Sequence, residues 1–449
     1  MKFVEKIFPD RIILTLLLVF FLISQTSVFI KNVIPLIVHY NPYAVLKYDE
    51  ERKKWKLFIH KGVRYFYDLK TKKLYPIPLL EYENYKFKPA LKGEYSVNFE
   101  GINYKVKPFK ELFPRKLWNA SFKNVKLLLF WILGFLVMYL FTKINYKVFK
   151  NKKIVYTLIF ISLFFLVSVL VKKFAGFSNP HMPVRWLFGT SFQPSEFSKI
   201  VLILFLAYYI GVKGEIERVS NFFFALFVLV VHASLVAIQT DLGMAIFYIV
   251  LGSSLMFVGG TPWRILIPSS LILGFSGVTF ILANIETVKK RFSGWLDPFA
   301  DPYDRGYQII KSLEAIISGG FFGQGLGKGL YSAIYIRESD TDYVISLIVE
   351  NLGVIGFVFL LSLQLLFFLR LLKYALRVYG IYEKIIILGV TLNFLYSVFV
   401  NYAMAFNILP PKGIALPFIS YGVSNLLSSM IMLGIVGSIY RRNGDVLNL

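Results

Sequence analysis

Apolar runs separated by short polar connections set the pattern of this chain. The first covers Ile12 to about Ile30. Others lie at about Leu127–Phe141, Ile154–Val171, Ile200–Ile210, Phe222–Ala237, Met244–Val258, Ile265–Leu282, Tyr343–Leu371, Ile385–Ala405 and Val423–Tyr440. A helix needs about 20 predominantly apolar residues to cross a bilayer. The pattern predicts an all-α polytopic membrane protein with about ten transmembrane helices.

Lys2, Lys6 and Arg11 precede the first run, which is long and is followed by no small-residue cleavage site. It reads as a first membrane helix with a cytoplasmic N-terminus, not as a signal peptide. Residues 40–118 break the pattern. Trp55–His60, Arg64–Asp68 and Tyr95–Phe99 look like short strands, with turns at Lys61-Gly62 and Glu100-Gly101. The expected organisation is an N-terminal segment with the first helix (1–39), a small β-rich extracytoplasmic insertion (40–118) and a transmembrane core (119–449).

The basic connections test this topology. Lys143, Lys147, Lys150, Lys152 and Lys153 follow the second span; Lys213 and Arg218 follow the fourth; Arg370, Lys373 and Arg377 follow the eighth; Arg441 and Arg442 follow the last. All fall on the cytoplasmic side if the N-terminus is inside, as the positive-inside rule requires. Both termini are then cytoplasmic. The insertion, the loop 172–199, the long loop 284–342 and the loop 406–422 gather on the outer face.

Composition narrows the class further. Of 449 residues, 56% are hydrophobic and 17% charged, a charged fraction below that of ordinary soluble domains. The absence of cysteine excludes disulfides, thiolate nucleophiles and Cys-based metal sites. His39, His60, His181 and His232 do not stand at metal-ligand spacing. A net charge of +24 would suggest nucleic acid in a soluble protein. Here topology-fixing loops and a basic region near the N-terminus account for it, so no nucleic acid is expected. Both favour anionic headgroups or a pyrophosphate.

The outer loops carry the chemistry. Trp295-Leu-Asp-Pro-Phe-Ala-Asp-Pro-Tyr-Asp-Arg-Gly-Tyr-Gln308 holds three carboxylates, Asp297, Asp301 and Asp304. The prolines disfavour helix at the residues before them, which leaves those carboxylates in a reachable loop; the plainer alternative is an Asp that only caps a turn. Glu196 and Lys199 are i, i+3 at the start of a span and can pair on one helix face. A structural ion pair is one reading, but ionisable groups at membrane depth are costly and tend to be functional. Asp342, Ser346 and Glu350 follow an i, i+4, i+8 spacing that puts them on one face, with Arg337 and Glu338 just before. Lys412 is a cation between two proline-containing turns. It can snorkel to headgroups or neutralise a phosphate leaving group. Gly319-Gly-Phe-Phe-Gly-Gln-Gly-Leu-Gly-Lys-Gly329 fails as a Walker motif because Phe322 replaces its first glycine and Gly329 its Ser/Thr. It is expected to be a flexible surface segment packed close to membrane or substrate, more structural than catalytic.

Five of these motifs stand in an order that resembles the SEDS family of bacterial cell-wall proteins (FtsW, RodA and SpoVE). They are Gln193-Pro-Ser-Glu196 with Lys199, Gln239-Thr-Asp-Leu-Gly243, the Asp-Pro loop, Thr341-Asp-Tyr343 with Glu350-Asn-Leu-Gly353, and Pro411-Lys-Gly413 through Leu416-Pro-Phe-Ile-Ser-Tyr-Gly422. The likeness spans about residues 120–442. It implies a ten-helix fold and peptidoglycan glycosyltransferase activity on lipid II, for division or elongation, in the bacterial cytoplasmic (inner) membrane. A class B penicillin-binding protein is the implied partner. The second Asp-Pro carboxylate of the family maps to Asp301, which would take a proton from the attacking hydroxyl. The family's Arg-Trp maps to Arg185 and Trp186, with the arginine gripping pyrophosphate. Substrate contact is likewise expected of Glu196, Lys199, Arg337, Glu338, Asp342, Glu350, Lys412, Ser420 and Tyr421. The chain departs from the family at Asp304-Arg305, Asp340 and Val423. A divalent cation (Mg or Mn) would help a pyrophosphate depart, but the sequence carries no clear metal cluster. The rival functions are a flippase for lipid-linked precursors and a non-catalytic scaffold for a transpeptidase.

Overall fold

The computed structural model describes residues 8–33, the strands between 45 and 108, and residues 109–175, 185–187, 192–214, 219–265, 268–269, 293–304, 306–329, 331–336 and 338–443. Its long helices are α1 (Arg11–Asn32), α2 (Phe109–Lys143), α3 (Lys152–Phe174), α4 (Pro194–Gly211), α5 (Val219–Ile238), α6 (Leu242–Val258), α7 (Tyr307–Gly319), α8 (Val344–Arg377), α9 (Ile381–Ala405) and α10 (Val423–Arg442).

Polar residues at the ends of apolar runs fix where several helices begin. Asp10 Oδ1 accepts from the amides of Ile12 (2.7 Å) and Ile13 (3.0 Å), satisfying donors that a helix start leaves open. Its Oδ2 pairs with Arg370 Nε on α8 at 2.7 Å. Asn151 caps α3 through the amide of Lys153 and Asp241 caps α6 through that of Met244. Pro194 occupies the first turn of α4, where a missing N–H costs nothing.

Eight of the described helices are long and apolar enough to cross a membrane, and α6 is a shorter apolar helix. Apart from residues 265, 268 and 269, the span expected over 265–282 lies outside the described residues. The core is built around α4 and α10, which other helices enclose, whereas α2 and α3 turn most of their apolar surface outward. Phe20, Phe367, Phe394 and Phe418 meet in the interior, with ring centroids 5.2–6.2 Å apart. Apolar residues on both inside and outside are what a bilayer solvent permits. The fold is an all-α polytopic membrane protein.

Residues 29–125 form a separate compact unit. Its backbone carries β1 (Val45–Asp49), β2 (Lys54–Leu57), β3 (Ile59–His60), β4 (Val63–Asp68), β5 (Lys73–Ile77), β6 (Tyr95–Phe99) and β7 (Ile102–Pro108). The strands pair antiparallel in the orders β2-β1-β7-β6 and β3-β4-β5. Tyr48 stands opposite Trp55, and Val97 opposite Tyr104. The turns expected at 61–62 and 100–101 lie outside the described residues.

α8 is broken at Gly353 (φ 69°, ψ −166°), a backbone region that favours glycine. The glycine-rich segment 319–329 fills the break. Gly320 O accepts from Val354 N (3.0 Å) and Phe321 O from Ile355 N (3.3 Å), while Gln324 N donates to Glu350 O (2.8 Å) and Gly325 N to Asn351 O (3.1 Å). A Cβ on Gly353 would collide with Phe321 O. The segment is therefore an ordered splint on α8 and not the flexible surface loop expected from its glycine content.

Candidate active site

A cavity of about 360 Å³ opens where the polar loops converge; Arg185, Asp241, Gln308, Glu338, Asp342, Tyr343 and Lys412 are among its walls. Asp241 serves two neighbours. Its Oδ1 caps α6 at Met244 N (3.2 Å), and its Oδ2 lies 3.3 Å from Arg185 Nη1. Gly413 brings the next loop in: a Cβ there would lie 3.1 Å from Asp342 Oδ2 and 3.4 Å from Arg185 Nη1. Lys412 runs across Gly243 at the start of α6, where an added Cβ would lie 2.6 Å from its Cδ.

Three carboxylates and two cations thus share the cavity, and burial changes their balance. Asp342 is pushed up to about 7, first by burial and then by the charge of Glu338, against the pull of Arg185. Asp241 is raised as well, by burial, with Arg185 opposing. A desolvated carboxylate prefers its neutral form. The cavity is consequently more receptive to an anion than a count of its charges suggests. Tyr343 Oη, Gln308 Oε1 and Arg185 Nε are buried without a hydrogen-bond partner.

Backbone ties hold the cavity loops together. Asn401 Nδ2, on α9, donates to Asp342 O (2.9 Å) and to Ile414 O (3.0 Å). Ser420 Oγ donates to Thr341 O and accepts from Leu416 N at 2.9 Å. Tyr421 N donates to Asp340 O at 2.7 Å. Ser420 and Tyr421 therefore fix the Thr341-Asp342 turn from behind, and neither lines the cavity.

The Asp-Pro loop lies beside this assembly. Asp297 Oδ1 accepts from Phe299 N (3.1 Å) and Ala300 N (3.2 Å), capping a single 3-10 turn at Pro298–Ala300. Asp301 ends that turn, and its carbonyl accepts from Gly306 N at 2.9 Å. Gly306 packs on the Pro298 carbonyl, which a side chain would strike. Trp295 Nε1 donates to Asn407 O at 3.1 Å, tying the loop to the end of α9. Asp297 is thus occupied by local structure. Asp301 is not among the cavity-lining residues, but Gln308, on the same segment, is.

The remaining candidates lie elsewhere. Glu196 and Lys199 form a buried pair at 2.7 Å; Asn425 Nδ2 donates to Glu196 Oε2 (3.2 Å) and Lys199 stands over the Phe247 ring. Glu350 accepts from the amides of Tyr331 (2.8 Å) and Ser332 (2.7 Å), and from Ser332 Oγ. Asp342 precedes the first turn of α8, so the expected stack on one helix face begins at Ser346, which meets Ser312 Oγ at 2.7 Å. The Trp186 carbonyl accepts from Lys172 Nζ at 3.1 Å. Arg337 lies outside the described residues. Among those described, no three His, Asp or Glu side chains converge as a metal site, and Arg185 and Lys412 supply the positive charge. Sequence reasoning missed Gln308, Tyr343 and Asn401 as site residues, and it gave Asp241 no role within its motif. A side-chain amide in an apolar span was the available signal for Asn401.

Fold and cavity together define a multi-pass membrane protein with a charged, loop-built site. The profile of the FtsW/RodA/SpoVE cell cycle protein family matches residues 115–444. The chain belongs to that family. It is 32% identical over 332 residues to a probable peptidoglycan glycosyltransferase FtsW of a Geobacter species, covering 73% of this chain and 89% of that one. Another probable FtsW, from Trichlorobacter lovleyi, is 33% identical over 313 residues, covering 69% and 81%. Among solved structures, a peptidoglycan synthase complex described as coordinating polymerization and crosslinking matches with TM-score 0.60 and 27% identity over 71% of this chain and 89% of that one. The rod shape determining protein RodA of Thermus thermophilus matches with TM-score 0.50 and 26% identity, over 69% and 84%.

Proposed function

We propose that the protein is a peptidoglycan glycosyltransferase that polymerises lipid II into glycan strands at the outer face of the bacterial cytoplasmic membrane, in division or elongation. Family membership and relatives named for this activity support the reaction class. The observation that carries the site is the cavity in which Arg185 and Lys412 meet Asp342, beside the Asp301 loop. In this reading both termini are cytoplasmic and the cavity faces outward.

The hydroxyl of one lipid-linked sugar attacks the anomeric carbon of another. A C–O bond forms as the bond from that carbon to the pyrophosphate oxygen breaks. Asp301 takes the hydroxyl proton, and undecaprenyl pyrophosphate leaves. The donor's α linkage becomes β-1,4, which one inverting displacement accomplishes. Arg185, a planar fork, and Lys412, a point charge, neutralise the departing pyrophosphate. A class B penicillin-binding protein that crosslinks the product is the partner in this reading; the solved neighbour's description as a synthase complex supports it.

Purified with its transpeptidase and given lipid II, the wild type is expected to make glycan strands and Asp301→Asn none. Strands from the variant at the wild-type rate would remove Asp301 from the role of base. Strands from neither protein would move the assignment to transport or scaffolding.

A further inference from the structure

The splint on α8 ends in a patch that the catalytic reading does not use. Ile317 is 77% exposed, Phe321 62%, Phe322 78% and Leu326 57%. The two phenylalanine rings meet edge to face at 5.1 Å. Contiguous apolar exposure of this kind marks an interaction surface. The polar side of α7 is engaged elsewhere: Lys311 pairs with Glu314 at 2.6 Å and stands near the rings of Tyr331 and Tyr335.

Two observations say what covers the patch. The first is depth. Large apolar residues of α8 face outward from Leu352 through Val354, Ile355, Val358 and Phe359 to Leu376. Val354 and Leu376, both beyond the break, stand about 33 Å apart at 1.5 Å per residue, close to a hydrocarbon core of about 30 Å. The break at Gly353 thus sits at one edge of that core. Phe321, bonded to Ile355 across the break, sits at the same level. The second is backbone accounting. Irregular backbone survives at membrane depth only where its polar groups are paired, and here loop and helix pair each other's. Gly327 N adds a bond to Asn351 Oδ1 at 2.6 Å.

We propose that Ile317, Phe321, Phe322 and Leu326 form a foot inserted in the bilayer at the hydrocarbon boundary, continuous with the lipid-facing stripe of α8. The placement follows from that stripe and holds whichever side of the membrane the loop occupies. α7 runs from the foot to Gln308 and the Asp301 loop, a 13-residue helix of about 20 Å. The foot thereby fixes the height of the site above the lipid.

The chain has no cysteine, so Phe322→Cys gives a unique attachment point for a nitroxide. The full chain is placed in lipid nanodiscs, alone and with its transpeptidase. Collision with oxygen is compared with collision with a water-soluble nickel chelate. Phe359→Cys is the lipid reference and Tyr303→Cys, in the Asp-Pro loop, the water reference. The label at 322 is expected to match that at 359, with the nickel reagent several-fold less effective than at 303. Behaviour like 303 overturns the foot. So does shielding from both reagents that appears only with the transpeptidase, which assigns the patch to a protein partner. Leu326→Cys repeats the measurement should the label at 322 disturb folding.

Discussion

Gly243 and Lys412 share one space: the lysine side chain crosses the glycine so closely that a Cβ would stand 2.6 Å from its Cδ. The absence of a side chain at the start of α6 is what lets the cation reach the cavity. Gly243→Ala is expected to push Lys412 aside and lower kcat/KM for lipid II roughly tenfold, about 1.4 kcal/mol, with much of the loss in kcat. Adding Gly243→Ala to Lys412→Ala is expected to cost nothing further. Additive losses in steady-state kinetics would show that the two residues act separately.

The Glu196–Lys199 pair is closed by Asn425 and Phe247. Removing one partner strands a buried charge, about 3–5 kcal/mol. Lys199→Met is therefore expected to lower the melting temperature sharply in detergent, and Glu196→Gln with Lys199→Met to recover most of it. Recovery of stability without activity would give the pair a part in the reaction beyond packing.

Asp342 titrates near pH 7 because burial and Glu338 raise it, Asp241 and Asp340 add to the rise, and Arg185 opposes them; Lys412 lines the same cavity. Its ionised form repels a pyrophosphate. Binding is expected to be tightest below pH 7 and to weaken as pH rises. KM increases roughly tenfold between pH 6 and 8 as the neutral form is titrated away. Asp342→Asn is expected to flatten the profile. The folded state also loses stability as pH climbs from about 4, the ordinary carboxylate range, to 7, because unfolding frees the carboxyl to ionise. A wild-type KM that falls over this range would contradict the assignment.

Glu350 holds the amides of Tyr331 and Ser332. Glu350→Ala leaves buried donors unpaired at about 1–3 kcal/mol each. Hydrogen exchange in residues 319–335 is expected to accelerate while KM for lipid II stays near wild type. Unchanged exchange with a raised KM would give Glu350 a substrate contact instead.

Much of this was legible in the chain. Apolar runs announce spans without any long-range information, and the motifs of the polar loops carried Arg185, Asp342 and Lys412 to one cavity. The preference for Asp301 over Asp297 came from the family pattern; Asp297 gives its Oδ1 to the turn. The role of Glu350 was not legible: its donors lie some 18 residues away in a segment with no period. Glycine content likewise signals freedom, whereas in 319–329 it permits close approach to another backbone. Asn401 and Gln308 stayed hidden because the carbonyls that Asn401 holds and the cavity that Gln308 lines are set by tertiary proximity alone.

The break in α8 also bears on how the protein is made. The acceptors for Val354 and Ile355 belong to a stretch synthesised before the helix itself. A rod entering the bilayer unaccompanied would present bare amides at its boundary, so threading into the membrane and closure of the earlier loop form one coupled step of biogenesis. Nascent chains arrested before and after α8 clears the ribosome should differ in protease resistance at Gly323–Gly327, and equal resistance would mean that the loop sets on its own.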